Sequence, residues 1–208
     1  FWMGDFCKKM RGDGPYCSSE KDTKPLHEIE LSSFSISKFK VTHEDYKFYL
    51  KINNLPAQIF DKKWKNATLA EMNHFKNSPA IVNWTEANNY CVWLGRVTGL
   101  PFSLPTEAQW EYSARSRGQY ILVATDDGVW RENKKNGKGV NYATDVDRQA
   151  VEDMVGINST SVHFPVNAYP PSPLGLYGMA DNGYEWVKDW YDPNYYLSLI
   201  HISEPTRQ

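Results

Sequence analysis

The 208-residue sequence predicts an α+β fold that is rich in loops and poor in regular secondary structure. Aromatic residues make up 14% of the chain, with eight Trp and thirteen Tyr. Each such ring can bury on the order of 150–250 Å², which favours loops pinned by large side chains. Residues 119–174 hold few helix signals and many Gly, Asn, Asp and Pro, so we expect mostly loops with short strands there. The length suits one domain, or one and a half.

The N-terminal forty residues predict short antiparallel strands. The opening "FWMGDF" fits a short strand or a turn. Apolar residues alternate further on, as a half-buried strand requires; they are Ile29, Leu31, Phe34, Ile36 and Phe39.

Three helices are predicted from their start signals. Thr42 is a good N-cap for "THEDYKFYLKIN", whose apolar face holds Tyr46, Tyr49 and Leu50. We expect Thr85 to cap a second helix that stops at Gly95. The third helix has the clearest start, because Thr106 and Gln109 of "LPTEAQWEYSARSRG" form a capping-box pattern. Gly118 follows it as a stop.

The three cysteines bear on the compartment. Cys7 and Cys17 bracket a polar loop rich in Gly and Pro. A disulfide between them fits an exported or periplasmic protein, whereas two surface thiols fit a cytosolic one. We expect the disulfide. Cys91 lies on the apolar face of "ANNYCVWLG" and is expected to be a small buried hydrophobe.

Charge and hydropathy argue against two classes of partner. The net charge of −2 provides no broad basic surface for nucleic acid or an anionic membrane. No apolar run approaches the roughly 20 residues that span a bilayer.

The last twelve residues, "LSLIHISEPTRQ", break the pattern of the chain. They resemble the translated read-through of a sequencing adapter. We therefore expect one domain over residues 1–196, incomplete at its C-terminus, and a foreign tail over residues 197–208. A frayed natural terminus is the alternative.

Three segments carry a resemblance to a known family. They are "FWMGD" with the later "FKVTHEDYKFY", then "LPTEAQWEYSAR", and finally "PLGLYGMADNGYEWVKDWY". In order and spacing they resemble the formylglycine-generating enzyme, or sulfatase-modifying factor, family over about residues 1–191. Iron-dependent sulfoxide synthases and pyoverdine-maturation proteins share this domain, so the resemblance indicates a superfamily more firmly than a reaction.

The resemblance implies a C-type-lectin-like fold and an oxidoreductase. The best-studied members use copper, held by two cysteines, to oxidise a cysteine of a sulfatase to formylglycine with dioxygen. Soft thiolates suit Cu(I). That pair follows the W-E-W motif in the family, and none of Cys7, Cys17 or Cys91 occupies its place. We therefore predict no catalytic residue in this chain.

The resemblance also implies structural calcium in the last motif. Asn182 and Glu185 match the family's N-x-W-E, whose side chains bind the ion together with backbone carbonyls. Calcium takes six to eight oxygen ligands, and Gly183 would let the backbone fold closely around the ion. Asp181 and Tyr184 depart from the family pattern. The alternative is that Asn182 and Glu185 satisfy backbone amides in a metal-free turn.

A second family calcium uses an Asn and the following carbonyl, and the nearest match is Asn141 with Tyr142. Solvated loop residues are the alternative there. Glu107 and Glu111 of the third helix are better explained by capping and helix-surface hydrogen bonds than as paired catalytic carboxylates.

Two functions remain open on this reading. One is a formylglycine-generating oxidoreductase that acts on a cysteine in a sulfatase-like protein or peptide. The other is a non-catalytic, lectin-like member that binds a protein ligand through its aromatic-rich loops.

Overall fold

The computed structural model describes residues 1–10, 23–58, 68–132, 138–155 and 163–194. Loops dominate this part of the chain, as predicted. Strands β1 (Trp2–Met3) and β2 (His27–Glu28) pair antiparallel, with Trp2 opposite Glu28. A 3-10 turn covers Cys7–Met10, and five helices follow: α1 His43–Ile52, α2 Leu69–Lys76, α3 Trp84–Thr98, α4 Glu107–Ala114 and α5 Asp145–Val155. With one two-residue strand pair among the described residues, the α+β class stays a prediction.

Helix α1 forms as its sequence predicts. The Thr42 hydroxyl accepts a hydrogen bond from the Asp45 amide at 3.1 Å, and the Asp45 carboxylate accepts one from the Thr42 amide at 3.3 Å. This reciprocal capping box satisfies two amides that a helix N-terminus otherwise leaves unpaired. The predicted apolar face is buried, and Tyr49 stacks at 5.4 Å on Tyr90 of α3.

Helix α3 exists, but its predicted limits are wrong. The helix begins at Trp84 because Asn83, rather than Thr85, is the N-cap and forms a capping box with Glu86. Gly95 lies inside the helix, where a Cβ atom would sit 3.1 Å from the carbonyl oxygen of Leu100. The stop is Gly99, whose φ of 72° is the left-handed conformation that ends helices.

Helix α4 confirms its predicted capping box. The Thr106 hydroxyl accepts from the Gln109 amide at 3.2 Å, and the Gln109 side chain accepts from the Thr106 amide at 2.9 Å. The helix ends at Ala114, and the chain then passes through positive φ at residues 116–118. The Glu107 amide donates to the Asp189 carboxylate at 2.5 Å, so the last motif of the chain sits at this helix start.

Glu111 makes the hydrogen bond along its helix that was expected, and it also contacts a distant segment of the chain. Its carboxylate accepts from the Arg115 guanidinium at 2.5 Å and from the Gly4 amide at 3.0 Å. Arg115 is itself buried and donates to the Trp2 carbonyl at 2.7 Å. This ion pair therefore attaches β1 to α4.

Helix α5 lies in the interval predicted to be loops, so that prediction is wrong for residues 145–155. The start of α5 carries a reciprocal pair, in which Thr144 and Asp147 each accept from the other's backbone amide at 3.2 and 2.9 Å. Helix α2, for which no element was predicted, starts the same way at Thr68 and Glu71.

The alternating residues 29–39 do not form the predicted strands. Ile29 packs with Met3 and Ala108, whereas Phe39 stacks at 4.8 Å on Tyr177. The other alternating residues, Leu31, Phe34 and Ile36, are half-buried against α4 and residues 174–179, whereas Phe39 is 36% exposed. Among the described residues no strand pairs with this segment.

Of the two described cysteines, Cys7 forms a disulfide as expected, whereas Cys91 is less buried than expected. Cys7 is disulfide-bonded, and Cys17, its predicted partner, lies outside the described residues. Cys91 is a free thiol that is half-buried, and burial raises its pKa. No helix within the described ranges has the length and hydropathy needed to cross a bilayer.

Candidate functional site

The Asn182 side chain bonds to backbone, not to an open site. Its Oδ1 accepts from the Phe164 amide at 2.7 Å, and its Nδ2 donates to the Phe164 carbonyl at 2.8 Å. The residue is buried and has a φ of 66°, a conformation that Asn tolerates better than most residues. These contacts match the metal-free alternative, in which Asn182 satisfies backbone groups.

The side chain of Lys40 contacts the backbone of loop 181–185. Nζ of Lys40 donates to the carbonyl oxygens of Asp181 at 2.8 Å, Asn182 at 3.2 Å and Gly183 at 2.8 Å. It also lies 3.5 Å from Oε1 of Glu185. Burial lowers the pKa of Lys40, and the charges of Glu185 and Asp181 oppose that shift. Sequence reasoning missed Lys40, because "FKVT" contains no metal or site pattern and lies about 140 residues away.

Gly183 permits a close approach, but to a side chain. Its φ is 93°, and an added Cβ would lie 2.5 Å from Nε2 of His163. The His163 carbonyl in turn accepts from Nε2 of His74 at 2.8 Å. The imidazole of His163 therefore packs directly against the loop at Gly183.

Burial lowers the pKa of His163 from 6.5 to about 4, with further contributions from the positive charges of Lys40, His43 and Arg148. Because the unfolded chain binds this proton below about pH 6.5 and the folded chain does not, stability falls as the pH drops from about 6.5 to about 4. Below about pH 4 this contribution is constant.

We expect the thermal midpoint to depend less steeply on pH between 6.5 and 4.5 in His163→Gln than in the unsubstituted protein. The glutamine amide cannot take up the proton that His163 binds in the unfolded chain. The contribution of His163 to the pH dependence of the thermal midpoint is therefore lost. Differential scanning calorimetry at half-unit pH steps measures this. Equal slopes in the two proteins would contradict the assignment.

The second predicted calcium loop is closed by its own hydrogen bonds. Oδ1 of Asn141 accepts from the Arg131 amide at 2.9 Å. Its Nδ2 donates to Asp126 at 2.8 Å, to Asp127 at 3.2 Å and to the Val129 carbonyl at 3.0 Å. The Asn141 side chain thus joins the two ends of the loop.

Arg131 neutralises the carboxylates of this loop. Its guanidinium pairs with Asp126 at 2.9 Å and also with Asp127, and it donates to the Gly139 carbonyl at 2.5 Å. The hydroxyl of Tyr142 donates to Glu132 at 2.7 Å, and its ring lies 4.4 Å from that of Trp130. The described residues of this loop, 126–132 and 138–142, are thereby grouped around the Arg131 guanidinium.

The two loops contact each other through Asp181, whose carboxylate accepts from the Ala143 amide at 2.9 Å. Asp181 therefore supports a neighbouring backbone. Within the described ranges, no group of three or more His, Cys, Asp or Glu is arranged to hold a metal ion. Calcium in either loop stays a prediction.

Two exposed tryptophans of the last motif and one partly buried tryptophan of α3 form a cluster that we call the tryptophan surface: Trp186, Trp190 and Trp84. The Trp84 and Trp190 rings lie 5.4 Å apart. Trp186 donates to the Val82 carbonyl and Trp84 to the Val187 carbonyl, both at 2.8 Å. The segment that carries Trp186 and Trp190 is not helical.

Two rings of the tryptophan surface remain accessible to solvent, one of them although its indole N–H donates to backbone. Trp190 is 81% exposed and Trp186 is 49% exposed. Tyr191, 78% exposed, extends the surface. A surface that is held by backbone hydrogen bonds and presents apolar rings to solvent is suited to binding another chain.

The fold has a solved counterpart. The structure of PvdO from Pseudomonas aeruginosa superposes with a TM-score of 0.61 at 23% identity, covering 94% of this chain and 69% of that one. This similarity concerns the fold.

Sequence relatives include enzymes and a protein named inactive. The formylglycine-generating enzyme of Mus musculus is 36% identical over 119 residues, covering 57% of this chain and 29% of that protein. The mouse protein named inactive C-alpha-formylglycine-generating enzyme 2 is 35% identical over 208 residues, covering 81% and 62%. The chain spans only 26–27% of the length of Chlamydia relatives named serine/threonine-protein kinase pkn1.

The sequence profile of the sulfatase-modifying factor enzyme 1-like domain matches residues 4–207, nearly the whole chain. In the structure, the last of the three motifs forms a loop that Asn182 attaches to the backbone of Phe164 and that lies beside the tryptophan surface. This chain belongs to the sulfatase-modifying factor enzyme 1-like domain family.

Proposed function

We propose that this chain is a polypeptide-binding member of its family and that the tryptophan surface is where it contacts its partner. The observation that carries the proposal is the exposure of Trp190 on a segment anchored to α3 and α4. Large exposed apolar groups on an ordered backbone mark interaction sites. Tryptophan is also enriched among the residues that dominate interface energies.

The chemistry of the surface suits a segment with proline and arginine. Aromatic faces pack against proline rings and attract guanidinium groups, the latter by about 0.5–1 kcal/mol at an exposed site. Asp189 and Asp192 flank Trp190 in the sequence and supply negative charge for the same cation. The family resemblance adds a cysteine, so a Cys-x-Pro-x-Arg peptide of the sulfatase type is the appropriate probe.

We expect a fluorescein-labelled Cys-x-Pro-x-Arg peptide to bind the unsubstituted chain. Trp190→Ala should raise the dissociation constant at least tenfold, which is a loss of about 1.4 kcal/mol in binding free energy. Fluorescence anisotropy measures both. Phe48→Ala is the matched control, because Phe48 is an aromatic residue of α1 that is 57% exposed and lies outside the tryptophan surface. Absence of binding, or equal losses in the two variants, would contradict the proposal.

A second candidate is oxidation of the cysteine in such a peptide, favoured by the 36% identity to the mouse formylglycine-generating enzyme. Copper in this family needs a pair of thiolates. Cys7 is disulfide-bonded, and Cys91 is a half-buried thiol whose pKa is raised. These two cysteines do not fit a copper site, so we assign them no step of an oxidation.

A further inference from the structure

We propose that the ammonium of Lys40 occupies the cation position of loop 181–185, where the family resemblance implies a calcium ion. The loop would then be braced by the chain itself and would keep its conformation without a divalent ion.

The contacts of Nζ match the valence of an ammonium. A lysine ammonium has three N–H donors and accepts nothing. Three carbonyl oxygens, from Asp181, Asn182 and Gly183, lie within 2.8–3.2 Å of it. Glu185, at 3.5 Å, supplies the opposite charge. Nζ of Lys40 therefore occupies the position toward which these oxygen atoms point.

The oxygen set that remains does not fit calcium. The ion needs six to eight oxygens at 2.3–2.6 Å. The Asn182 amide, which the family pattern offers as a ligand, already makes two hydrogen bonds with the backbone of Phe164. Calcium could reach the carbonyls only by displacing Nζ of Lys40 from them.

Because the Lys40 ammonium lies in a buried position, the oxygen atoms around it need its positive charge. The Lys40 side chain is 9% exposed. Oε1 of Glu185 is buried, and among the described residues it makes no hydrogen bond, so Lys40 is the charge that balances it. Removing the ammonium leaves a carboxylate and three carbonyls turned toward an empty centre, which is costly in a buried position.

The second predicted calcium loop supports the inference by the same arrangement. There the Arg131 guanidinium pairs with Asp126 and Asp127 and reaches the Gly139 carbonyl. In both loops a basic side chain of the chain itself occupies the oxygen-rich centre.

Lys40→Met tests the need for the ammonium. We expect its thermal midpoint to fall by about 6 °C or more, since one partner of a buried pair is removed. Lys188→Met is the matched control, an exposed lysine close to the same loop, and should stay within about 1 °C of the unsubstituted protein. Equal midpoints for the two variants would overturn the proposal.

Lys40→Glu tests what the loop can bind when a carboxylate replaces the ammonium. With calcium in excess over chelator, its midpoint should rise by several degrees, whereas that of the unsubstituted protein should not change. A calcium-dependent rise in the unsubstituted protein that Glu185→Gln abolishes would overturn the proposal.

A labelling experiment gives a readout that does not depend on whether a variant folds. In the native protein an amine-reactive ester should modify Lys40 much more slowly than Lys188, with or without calcium, as read by peptide mass spectrometry. Faster modification of Lys40 on adding calcium would mean that the ion displaces the ammonium, and the proposal would fail.

Discussion

Asn182→Asp should lower the free energy of unfolding by about 3 kcal/mol, the range for a buried group left without its partner. The aspartate keeps the oxygen that accepts from the Phe164 amide. It replaces the N–H donor by a second oxygen that faces the Phe164 carbonyl, now 2.8 Å from Nδ2. Two acceptors then oppose each other in a buried position.

The same substitution separates the two roles open to this residue. A calcium ligand would tolerate aspartate, since a carboxylate oxygen binds the ion at least as well as an amide oxygen. Urea unfolding in calcium and in chelator measures the difference. Asn54→Asp is the matched control, because Asn54 also has a left-handed φ, 53°, but is exposed. We expect it to cost less than about 0.5 kcal/mol. Full stability of Asn182→Asp in calcium would contradict the hydrogen-bonding role.

Gly183→Ala should cost about 3 kcal/mol through two effects. The φ of 93° is unfavourable for any residue with a Cβ, by about 1–2 kcal/mol. In addition, the new Cβ would lie 2.5 Å from Nε2 and 2.9 Å from Cδ2 of His163, so the imidazole must shift from its packed position at a further cost.

Gly175→Ala isolates the backbone part of that cost. Gly175 has a φ of 80°, and nothing lies within 4 Å of the Cβ it would gain, so only the penalty of about 1–2 kcal/mol should appear. A double-mutant cycle with His163→Ala isolates the clash, because Gly183→Ala should cost little more than Gly175→Ala once the imidazole is gone. Equal losses for the two glycine substitutions in the unsubstituted background would contradict the packing of His163 on Gly183.

Local signals predicted local structure well. The N-cap at Thr42 and the capping box at Thr106 were visible because they depend on residues within one helical turn. The second helix start was misplaced because Asn83 and Thr85 are both good N-caps, and only the pairing with Glu86 decides between them. Helix α5 was missed because its Thr144–Asp147 pair lies among many loop-forming residues.

The family resemblance singled out the last motif, but the contacts that its residues make were not predicted from the sequence. The last motif identifies Asn182, Gly183 and Glu185 as a unit, yet their partners are distant in the chain. Lys40 reaches the loop across about 140 residues, and Phe164 meets Asn182 from a separate loop. No spacing rule predicts such contacts, and a lysine is not among the residue types that a metal-site pattern includes. The tryptophan surface likewise joins two segments about 100 residues apart.

Incubation of the Cys-x-Pro-x-Arg peptide with the 208-residue chain, Cu(I) and dioxygen is the most direct test, with aldehyde trapping and mass spectrometry as the readout of oxidation. It tests the claim that this chain binds a polypeptide and that its described cysteines do not carry out the oxidation. A formylglycine-generating enzyme serves as the positive control under the same conditions. We predict that the peptide binds, as anisotropy in the same mixture reports, and that its cysteine is not converted to formylglycine. Accumulation of the aldehyde peptide above the level without protein would contradict the claim.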